Sequence, residues 1–272
     1  VLLAGLNANG TTNVIEEKTS RNHTENMLLQ SSNVLKIKKN NKGHNHIKVY
    51  GKNYLDPLKI NVGGDPSSAA FFTALTLLTP KSYLRIEHVG LNPRRIGFYN
   101  LLKKHGARIK FKNVKEINHE RVGDIEVQSS NLKAINANSG YYVLATDEYP
   151  ILFVIAALTR GTSVFKGIED LANKESNRIE EMKKILKQIN VKCQSTKNKM
   201  KIFGATEIKK INTKIKVPNL GDHRICMSTV ILSLATGIKA EIKNFETVKT
   251  SSPSFLQIIK SLRGNFEIKK TS

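Results

Sequence analysis

The stretch Gly64-Asp65-Pro66-Ser67-Ser68 precedes an apolar run that extends to residue 78, and the sequence repeats this arrangement twice. The later copies begin at Thr146-Asp147-Glu148-Tyr149-Pro150 and at Gly221-Asp222-His223-Arg224. Each contains an Asp, which is a good N-cap because its carboxylate accepts hydrogen bonds from the free first-turn N–H groups. Pro66 suits the first helical position, where a missing N–H has no cost. We therefore predict three helices that are apolar on most faces and buried, over residues 69–78, 151–158 and 225–235.

Each predicted buried helix is followed by a strand-like stretch and then by an amphipathic helix, whose apolar residues recur at helical spacing. Short strands close the first two repeats, and one strand, at residues 265–269, closes the third. Residues 1–64 fit the same pattern without its opening helix. The sequence thus predicts an α/β fold of repeated units: residues 1–64 as the incomplete last unit of a first domain, and residues 65–272 as a second domain with units 65–146, 147–221 and 222–272.

The composition indicates a globular protein. Hydrophobic residues make up 39% of the 272 residues and charged residues 24%. The longest apolar run, residues 151–158, is far shorter than the roughly 18 residues that suggest a membrane span. The two cysteines, Cys193 and Cys226, lack metal-ligand spacing. We therefore expect no membrane segment, no metal site and a reducing compartment, the cytoplasm.

The formal net charge of +22 has two interpretations. It is typical of proteins that bind nucleic acid, but it also arises when lysines are spread over a solvated surface. The positive charge is mostly scattered Lys, and arginine-rich or aromatic-interleaved segments are absent, which favours the second interpretation. Small anionic substrates are compatible with either.

Four groups of polar residues lie at predicted helix starts, where free N–H groups and the positive end of the helix dipole favour anions. Each group also has a structural interpretation: surface ion pairs, a salt bridge, an N-cap or a solvated lysine. Because the units repeat, their helix starts are expected to meet on one face. Ser20 and Arg21 would face them from the first domain, whereas residues 92–97 are interpreted as a structural turn. The four groups are residues 174–178, with Lys174, Glu175 and Arg178; residues 222–224, with Arg224; Asp147 and Glu148; and residues 249–253, with Lys249.

Six motifs, in order along nearly the whole chain, resemble those of the 5-enolpyruvylshikimate-3-phosphate (EPSP) synthases. Asn177 stands where that family usually has Asp. The motifs are Ala4-Gly5-Leu6-Asn7 with Gly10-Thr11-Thr12, Ser20-Arg21-Asn22-His23-Thr24-Glu25, Gly64-Asp65-Pro66-Ser67-Ser68-Ala69-Ala70-Phe71, Asp147-Glu148-Tyr149-Pro150-Ile151-Leu152, Lys174-Glu175-Ser176-Asn177-Arg178 and Asp222-His223-Arg224-Ile225-Cys226-Met227.

The resemblance implies a two-domain inside-out α/β barrel of repeated βαβαββ units, with its N-terminal part missing here. It implies transfer of the carboxyvinyl group of phosphoenolpyruvate to the 5-hydroxyl of shikimate 3-phosphate, with release of phosphate and without metal or organic cofactor. By the same resemblance, Asp147 is the general base and Glu175 transfers a proton at the methylene carbon. Phosphoenolpyruvate would contact Arg178, Arg224 and Lys249, and shikimate 3-phosphate would contact Ser20, Arg21, Asp147 and Lys174.

The resemblance further implies a monomer that acts in aromatic amino acid biosynthesis, and a chain that is the C-terminal portion of the enzyme and is nearly inactive alone. Two alternatives remain open. One is the related enolpyruvyl transferase that acts on UDP-N-acetylglucosamine, and the other is a basic nucleic-acid-binding protein.

Overall fold

The computed structural model describes residues 1–18, 20–31, 33–58, 60–205 and 214–269. The first 50 residues form a small layer of helices on a sheet, with a core of its own around Leu28, Val34 and Val49. The sheet is antiparallel, with strand order β1-β3-β2. The elements are α1 (Leu2–Asn7), β1 (Thr11–Glu16), α2 (His23–Leu28), β2 (Leu35–Lys39) and β3 (Asn45–Tyr50).

The next unit pairs two helices with an antiparallel sheet of order β4-β6-β5. Gly64 forms a parallel bridge with Val89, which attaches the segment before the first helix to the edge of this sheet. The elements are α3 (Pro66–Leu78), β4 (Tyr83–Gly90), α4 (Gly97–Lys104), β5 (Arg108–Ile117) and β6 (Glu120–Gln128).

The middle unit has a four-stranded sheet of order β7-β8-β10-β9, in which only the β7–β8 pair is parallel. Two 3₁₀ turns, Thr146–Glu148 and Glu169–Asn173, precede its two longer helices. The other elements are β7 (Asn136–Ala137), α5 (Gly140–Ala145), α6 (Tyr149–Ala157), β8 (Gly161–Lys166), α7 (Arg178–Lys187), β9 (Lys192–Thr196) and β10 (Lys199–Gly204).

The last unit is the shortest. Strands β11 (Ile215–Val217) and β12 (Ala240–Ile242) pair in parallel around α8 (His223–Thr236). A 3₁₀ turn, Phe245–Thr250, leads to α9 (Phe255–Ser261).

The three predicted buried helices are confirmed, and they form the centre of the main core. α3, α6 and α8 pack against one another, and every residue of α6 is buried. The predicted caps at Asp65 and Asp222 are also confirmed, since each carboxylate accepts hydrogen bonds from two first-turn N–H groups. Gly237 ends α8 in the left-handed conformation, at φ 72°.

Several predictions at element ends are wrong. Asp147 does not cap α6, because α5 continues through the 3₁₀ turn into α6 and leaves no free helix start there. Ser252 before Pro253 predicts an N-cap, but α9 starts only after Ser254. Gly161 after Arg160 predicts a C-cap, but α6 already ends at Ala157. The strand predicted for residues 265–269 is also wrong, since they form no strand in the part of the chain that the structure describes.

No helix among the described residues is both long and apolar enough to cross a membrane. The division of the chain into domains at residues 64 and 65 stays a prediction.

Candidate functional site

Asp147 contacts a residue from the first 50 positions of the chain. Its carboxylate accepts a hydrogen bond from the Arg21 guanidinium, with Nη2 and Oδ2 2.7 Å apart. Burial raises the pKa of Asp147, but the Arg21 hydrogen bond and the charges of Arg224, Arg21 and Arg178 outweigh it, so the pKa lies below its ordinary value. Because the 3₁₀ turn frees its carboxylate from helix capping, Asp147 is available as a charged base.

Asp222 joins the starts of α7 and α8. Its Oδ1 accepts from the backbone N–H groups of Arg224 and Ile225, at 3.0 and 3.3 Å. Its Oδ2 accepts from Arg178 Nε at 2.9 Å and from the Ser176 hydroxyl at 2.8 Å. Burial raises the pKa of Asp222, and the Arg178 hydrogen bond and charge lower it further than burial raises it. One buried carboxylate therefore fixes two helix starts together.

Arg178 is the largest fully buried side chain among the described residues, 1% exposed. Its Nη2 contacts Glu175 as well as Asp222. Lys174 and Arg178 are four positions apart, a spacing that predicts one shared helical face, but α7 begins only at Arg178 and Lys174 is extended. Lys174 pairs instead with Asp170 at 2.8 Å, and Asp170 accepts a hydrogen bond from the Tyr142 hydroxyl at 2.7 Å.

Asn177, at the position where an Asp was expected, caps α7 by accepting from the N–H of Glu180 at 3.2 Å. The local start of the helix is thus intact with the neutral side chain.

Arg224 occupies the first turn of α8 and is 8% exposed. Its Nη1 is buried and has no hydrogen-bond partner among the described residues. A guanidinium that is buried without its full set of partners is costly. Arg224 lies close enough to Asp147 to lower its pKa. Its guanidinium is thus a positive group that can pair with a bound anion.

Lys249 is not brought into this cluster by any contact in the described structure. It pairs with Glu246 at 2.6 Å and its side chain is 66% exposed. The 3₁₀ turn that carries it is attached next to α8, because the Thr247 hydroxyl donates to the Gly221 carbonyl at 3.0 Å. The turn is therefore held against the segment that precedes α8.

Ser20 is held by hydrogen bonds to Glu16, from the first 50 residues, and to Arg94, from the unit that follows. Its hydroxyl donates to Glu16 Oε1 at 2.6 Å, and its carbonyl accepts from Arg94 Nη1 at 2.7 Å. Arg94 therefore has a role beyond the structural turn predicted for residues 92–97, because it joins that turn to the first 50 residues.

Two sets of residues were missed. Glu120 accepts hydrogen bonds from Asn26 and Asn92 and contacts His23, so it ties the first segment to β6. No local sequence pattern predicts this role of Glu120, since its partners among the first 50 residues are 94 and 97 positions away. The role of Asp222 as the counter-charge of Arg178 had a signal: an arginine that is buried at a helix start requires a carboxylate nearby.

Arg21, Arg178 and Arg224 thus lie close enough to Asp147 to lower its pKa, whereas Lys174 and Lys249 pair with Asp170 and Glu246. No group of three or more His, Cys, Asp or Glu side chains in the described ranges is arranged to hold a metal ion.

Comparison with known proteins shows the family to which the chain belongs. The family model for EPSP synthase (3-phosphoshikimate 1-carboxyvinyltransferase) matches residues 1–259. The chain belongs to the EPSP synthase family. The predicted family resemblance is therefore confirmed.

Relatives in the EPSP synthase family are similar over nearly the whole chain. The 3-phosphoshikimate 1-carboxyvinyltransferase of Zymomonas mobilis is 38% identical over 271 residues, which are 98% of this chain and 59% of that protein. The protein of the same name from Carboxydothermus hydrogenoformans is 38% identical over 262 residues, 96% of this chain and 59% of its own. The chain thus spans about 59% of the length of these curated relatives.

Solved structures show the same fold. An EPSP synthase from Acinetobacter baumannii superposes with a TM-score of 0.84 at 34% identity, covering 96% of this chain and 58% of that one. The enolpyruvyl transferase NikO from Streptomyces tendae superposes with a TM-score of 0.70 at 14% identity, covering 97% and 58%, which shows a shared fold alone. The predicted inside-out α/β fold is confirmed.

Proposed function

We propose that this chain carries one side of the active site of a 3-phosphoshikimate 1-carboxyvinyltransferase, which acts on phosphoenolpyruvate and shikimate 3-phosphate. The observation that carries the proposal is the convergence on Asp147 of three arginine charges from separate segments: Arg21, Arg178 and Arg224. Both substrates are phosphorylated, and planar guanidinium groups bind phosphate and carboxylate through paired hydrogen bonds.

Asp147 is proposed as the general base that accepts the proton of the 5-hydroxyl as its oxygen attacks phosphoenolpyruvate. A base must be charged, and the neighbouring arginines keep the Asp147 pKa low. Arg21 binds the Asp147 carboxylate in this structure. The phosphate group of shikimate 3-phosphate would compete with that carboxylate for Arg21. Ser20 lies next to Arg21 in the same segment, and Lys174 would contact the same substrate.

Glu175 is proposed to transfer a proton at the methylene carbon. Its side chain is half-exposed and contacts the buried Arg178, which would hold the carboxyl group in place. Arg178 and Arg224 would bind phosphoenolpyruvate. Of the two, Arg224 has the stronger support, because its buried Nη1 has no partner in the described ranges. Lys249 would reach the phosphate or carboxylate only after leaving Glu246.

The reaction as proposed adds the shikimate oxygen to C2 of phosphoenolpyruvate and a proton to C3, giving a tetrahedral intermediate. Loss of the proton from C3 and of phosphate from C2 then forms the enol ether. The chain supplies bases, acids and anion-binding groups for these steps. We also propose that the protein is a monomer and that it is cytoplasmic. The cytoplasmic location is supported by the free thiols of Cys193 and Cys226.

The test uses a chimera in which residues 1–272 replace the matching 59% of the Zymomonas mobilis relative. The expected result is formation of EPSP and phosphate from the two substrates, with a loss of roughly 10²- to 10⁴-fold in turnover for Asp147→Asn. The unaltered relative is the positive control. A folded chimera that forms no EPSP, or an Asp147→Asn variant with undiminished turnover, would contradict the proposal.

A further inference from the structure

Glu148 is a buried carboxyl group for which the proposed reaction has no use. It directly follows Asp147 and is 3% exposed. It stands at the N-cap position of α6, but its side chain makes no capping hydrogen bond. Its Oε1 is buried without a hydrogen-bond partner in the part of the chain described. A buried carboxyl group with a free oxygen has a cost that invites an explanation.

The residues around Glu148 connect it to Arg224, the proposed anion-binding residue. The 3₁₀ turn that contains it packs against α3, where the Ser67 hydroxyl acts to lower the pKa of the carboxyl group. Ser67 in turn accepts from Arg95 Nη2 at 3.0 Å, and Arg95 also binds Asp65 at 2.9 Å. From α8, the charge of Arg224 stabilises the ionised form of Glu148.

These groups do not satisfy one another completely. Arg224 Nη1 and Glu148 Oε1 are both buried and both lack a hydrogen-bond partner among the described residues. Opposite charges that interact without locking into a hydrogen-bonded pair leave the guanidinium free to bind something else. An anion placed at Arg224 would add negative charge near Glu148 and disfavour its ionised form.

The protonation state of Glu148 is sensitive to such a change. Burial raises the pKa of Glu148 to about 7, with the charge of Asp147 acting in the same direction and Ser67, Arg224 and Arg95 acting against it. The charged and titratable groups that face it are therefore Asp147 from its own turn, Arg224 from α8, Arg95 from the loop before α4, and Tyr99 from α4.

We infer that Glu148 is a proton-exchanging counter-charge to Arg224, so that binding of an anion at Arg224 is accompanied by uptake of a proton by Glu148. This inference rests on the proposed anion-binding role of Arg224. When Glu148 is ionised it offsets part of the Arg224 charge and weakens the site. When it is protonated the full Arg224 charge attracts the anion. Glu148 is thus a positioning and tuning residue that need not touch a substrate.

The sign of the pH dependence follows. If a bound anion raises the Glu148 pKa, affinity is highest at pH values where Glu148 is already protonated. It falls as the pH rises through the pKa of the anion-free protein and levels off above the pKa of the complex. Each unit by which the anion raises this pKa corresponds to about tenfold in affinity between the two limits.

The experiment titrates the 272-residue chain with inorganic sulfate, whose charge does not change between about pH 5.5 and 8.5. Calorimetry in two buffers of different ionisation enthalpy counts the protons taken up. For the unaltered chain we expect affinity to fall by about tenfold between pH 6 and 8.5, with proton uptake near pH 7 to 8. Glu148→Gln should bind sulfate with a smaller pH dependence than the unaltered chain, and more tightly than the unaltered chain at pH 8.5.

Two controls isolate the effect. Arg224→Gln should lose this binding, which places the sulfate at Arg224. His223, also beside Arg224, contributes equally to the unaltered chain and to Glu148→Gln, so the difference between them reports Glu148.

Equal pH dependence and proton uptake in Glu148→Gln would overturn the inference, as would sulfate binding unaffected by Arg224→Gln. If Glu148→Gln does not fold, the unaltered chain alone decides, because sulfate binding without proton uptake also contradicts the inference. Sulfate is not a substrate, so the outcome is separate from the chimera assay. EPSP formation without proton-linked sulfate binding removes only this inference, and the reverse result removes only the proposed reaction.

Discussion

Replacing Asp222 by Asn should destabilise the protein substantially while leaving the cap of α8 in place. The cap uses Oδ1, which accepts from the Arg224 and Ile225 N–H groups, and an Asn side-chain oxygen can do the same. Oδ2, which accepts from Arg178 Nε and the Ser176 hydroxyl, would become an NH₂ group facing two donors. The substitution therefore removes the ion pair with Arg178 but keeps the helix cap, so the contribution of the ion pair can be measured alone.

The magnitude follows from burial. Arg178 is 1% exposed and the Asp222 side chain 0%, and removing one partner of such a pair typically costs about 3–5 kcal/mol. Glu175 still contacts Arg178, so we expect the lower end, about 3 kcal/mol. Asp222→Ala loses the cap as well, which adds about 1 kcal/mol.

The assay is urea unfolding at pH 7 followed by far-UV circular dichroism. Glu241→Gln is the matched control, because it breaks a half-exposed pair with Lys214, and exposed ion pairs contribute little to the free energy of unfolding. Since the Asp222 pKa is lowered in the folded state, its contribution is present above the ordinary carboxyl pKa and is lost as the pH falls through the lowered value. The gap between Asp222→Asn and the unaltered chain should therefore shrink below about pH 4. A loss below about 1 kcal/mol at pH 7 would refute the reasoning, since it would mean that Arg178 finds another partner or reaches water.

Two further predictions concern Arg21 and Gly237. Arg21→Met removes the hydrogen bond that lowers the Asp147 pKa, so the acid limb of the kcat/KM profile of the chimera should move to higher pH; a limb that stays in place would show that Asp147 does not set it. Gly237→Ala puts a side chain at φ 72°, which should lower the free energy of unfolding in urea by about 1 kcal/mol. Gly237→Asn should lower it less, because Asn tolerates this conformation. Equal stability of the three proteins would show that a side chain at this position causes no strain.

Sequence patterns were sufficient where local chemistry decides the structure. Asp65 with Pro66, and Asp222 before an apolar run, each combine a cap with a buried helix, and both helices start as predicted. Asp147 also precedes an apolar run but has a different local structure, because α5 runs directly into the turn before α6. A cap signal indicates a helix start only if the preceding chain is not already helical.

The repeat also predicted that helix starts meet, which is a consequence of its symmetry. The pairing within the site could not be predicted, since it depends on contacts between distant residues. Arg178 binds Asp222, 44 positions away, and Arg21 binds Asp147, 126 positions away. The same holds for the burial of Glu148, whose environment is formed by α3, α8 and the loop before α4.

The most direct test of the central claim, that buried arginines at these helix starts form a phosphoenolpyruvate site, is calorimetry of phosphoenolpyruvate binding to the chimera saturated with shikimate 3-phosphate. Arg224→Gln should weaken binding by at least about tenfold, since hydrogen bonds to charged groups contribute about 1.5–3 kcal/mol. Lys214→Gln, which removes a half-exposed lysine, should leave the affinity unchanged. Equal affinity for phosphoenolpyruvate in the unaltered and Arg224→Gln chimeras would contradict the claim.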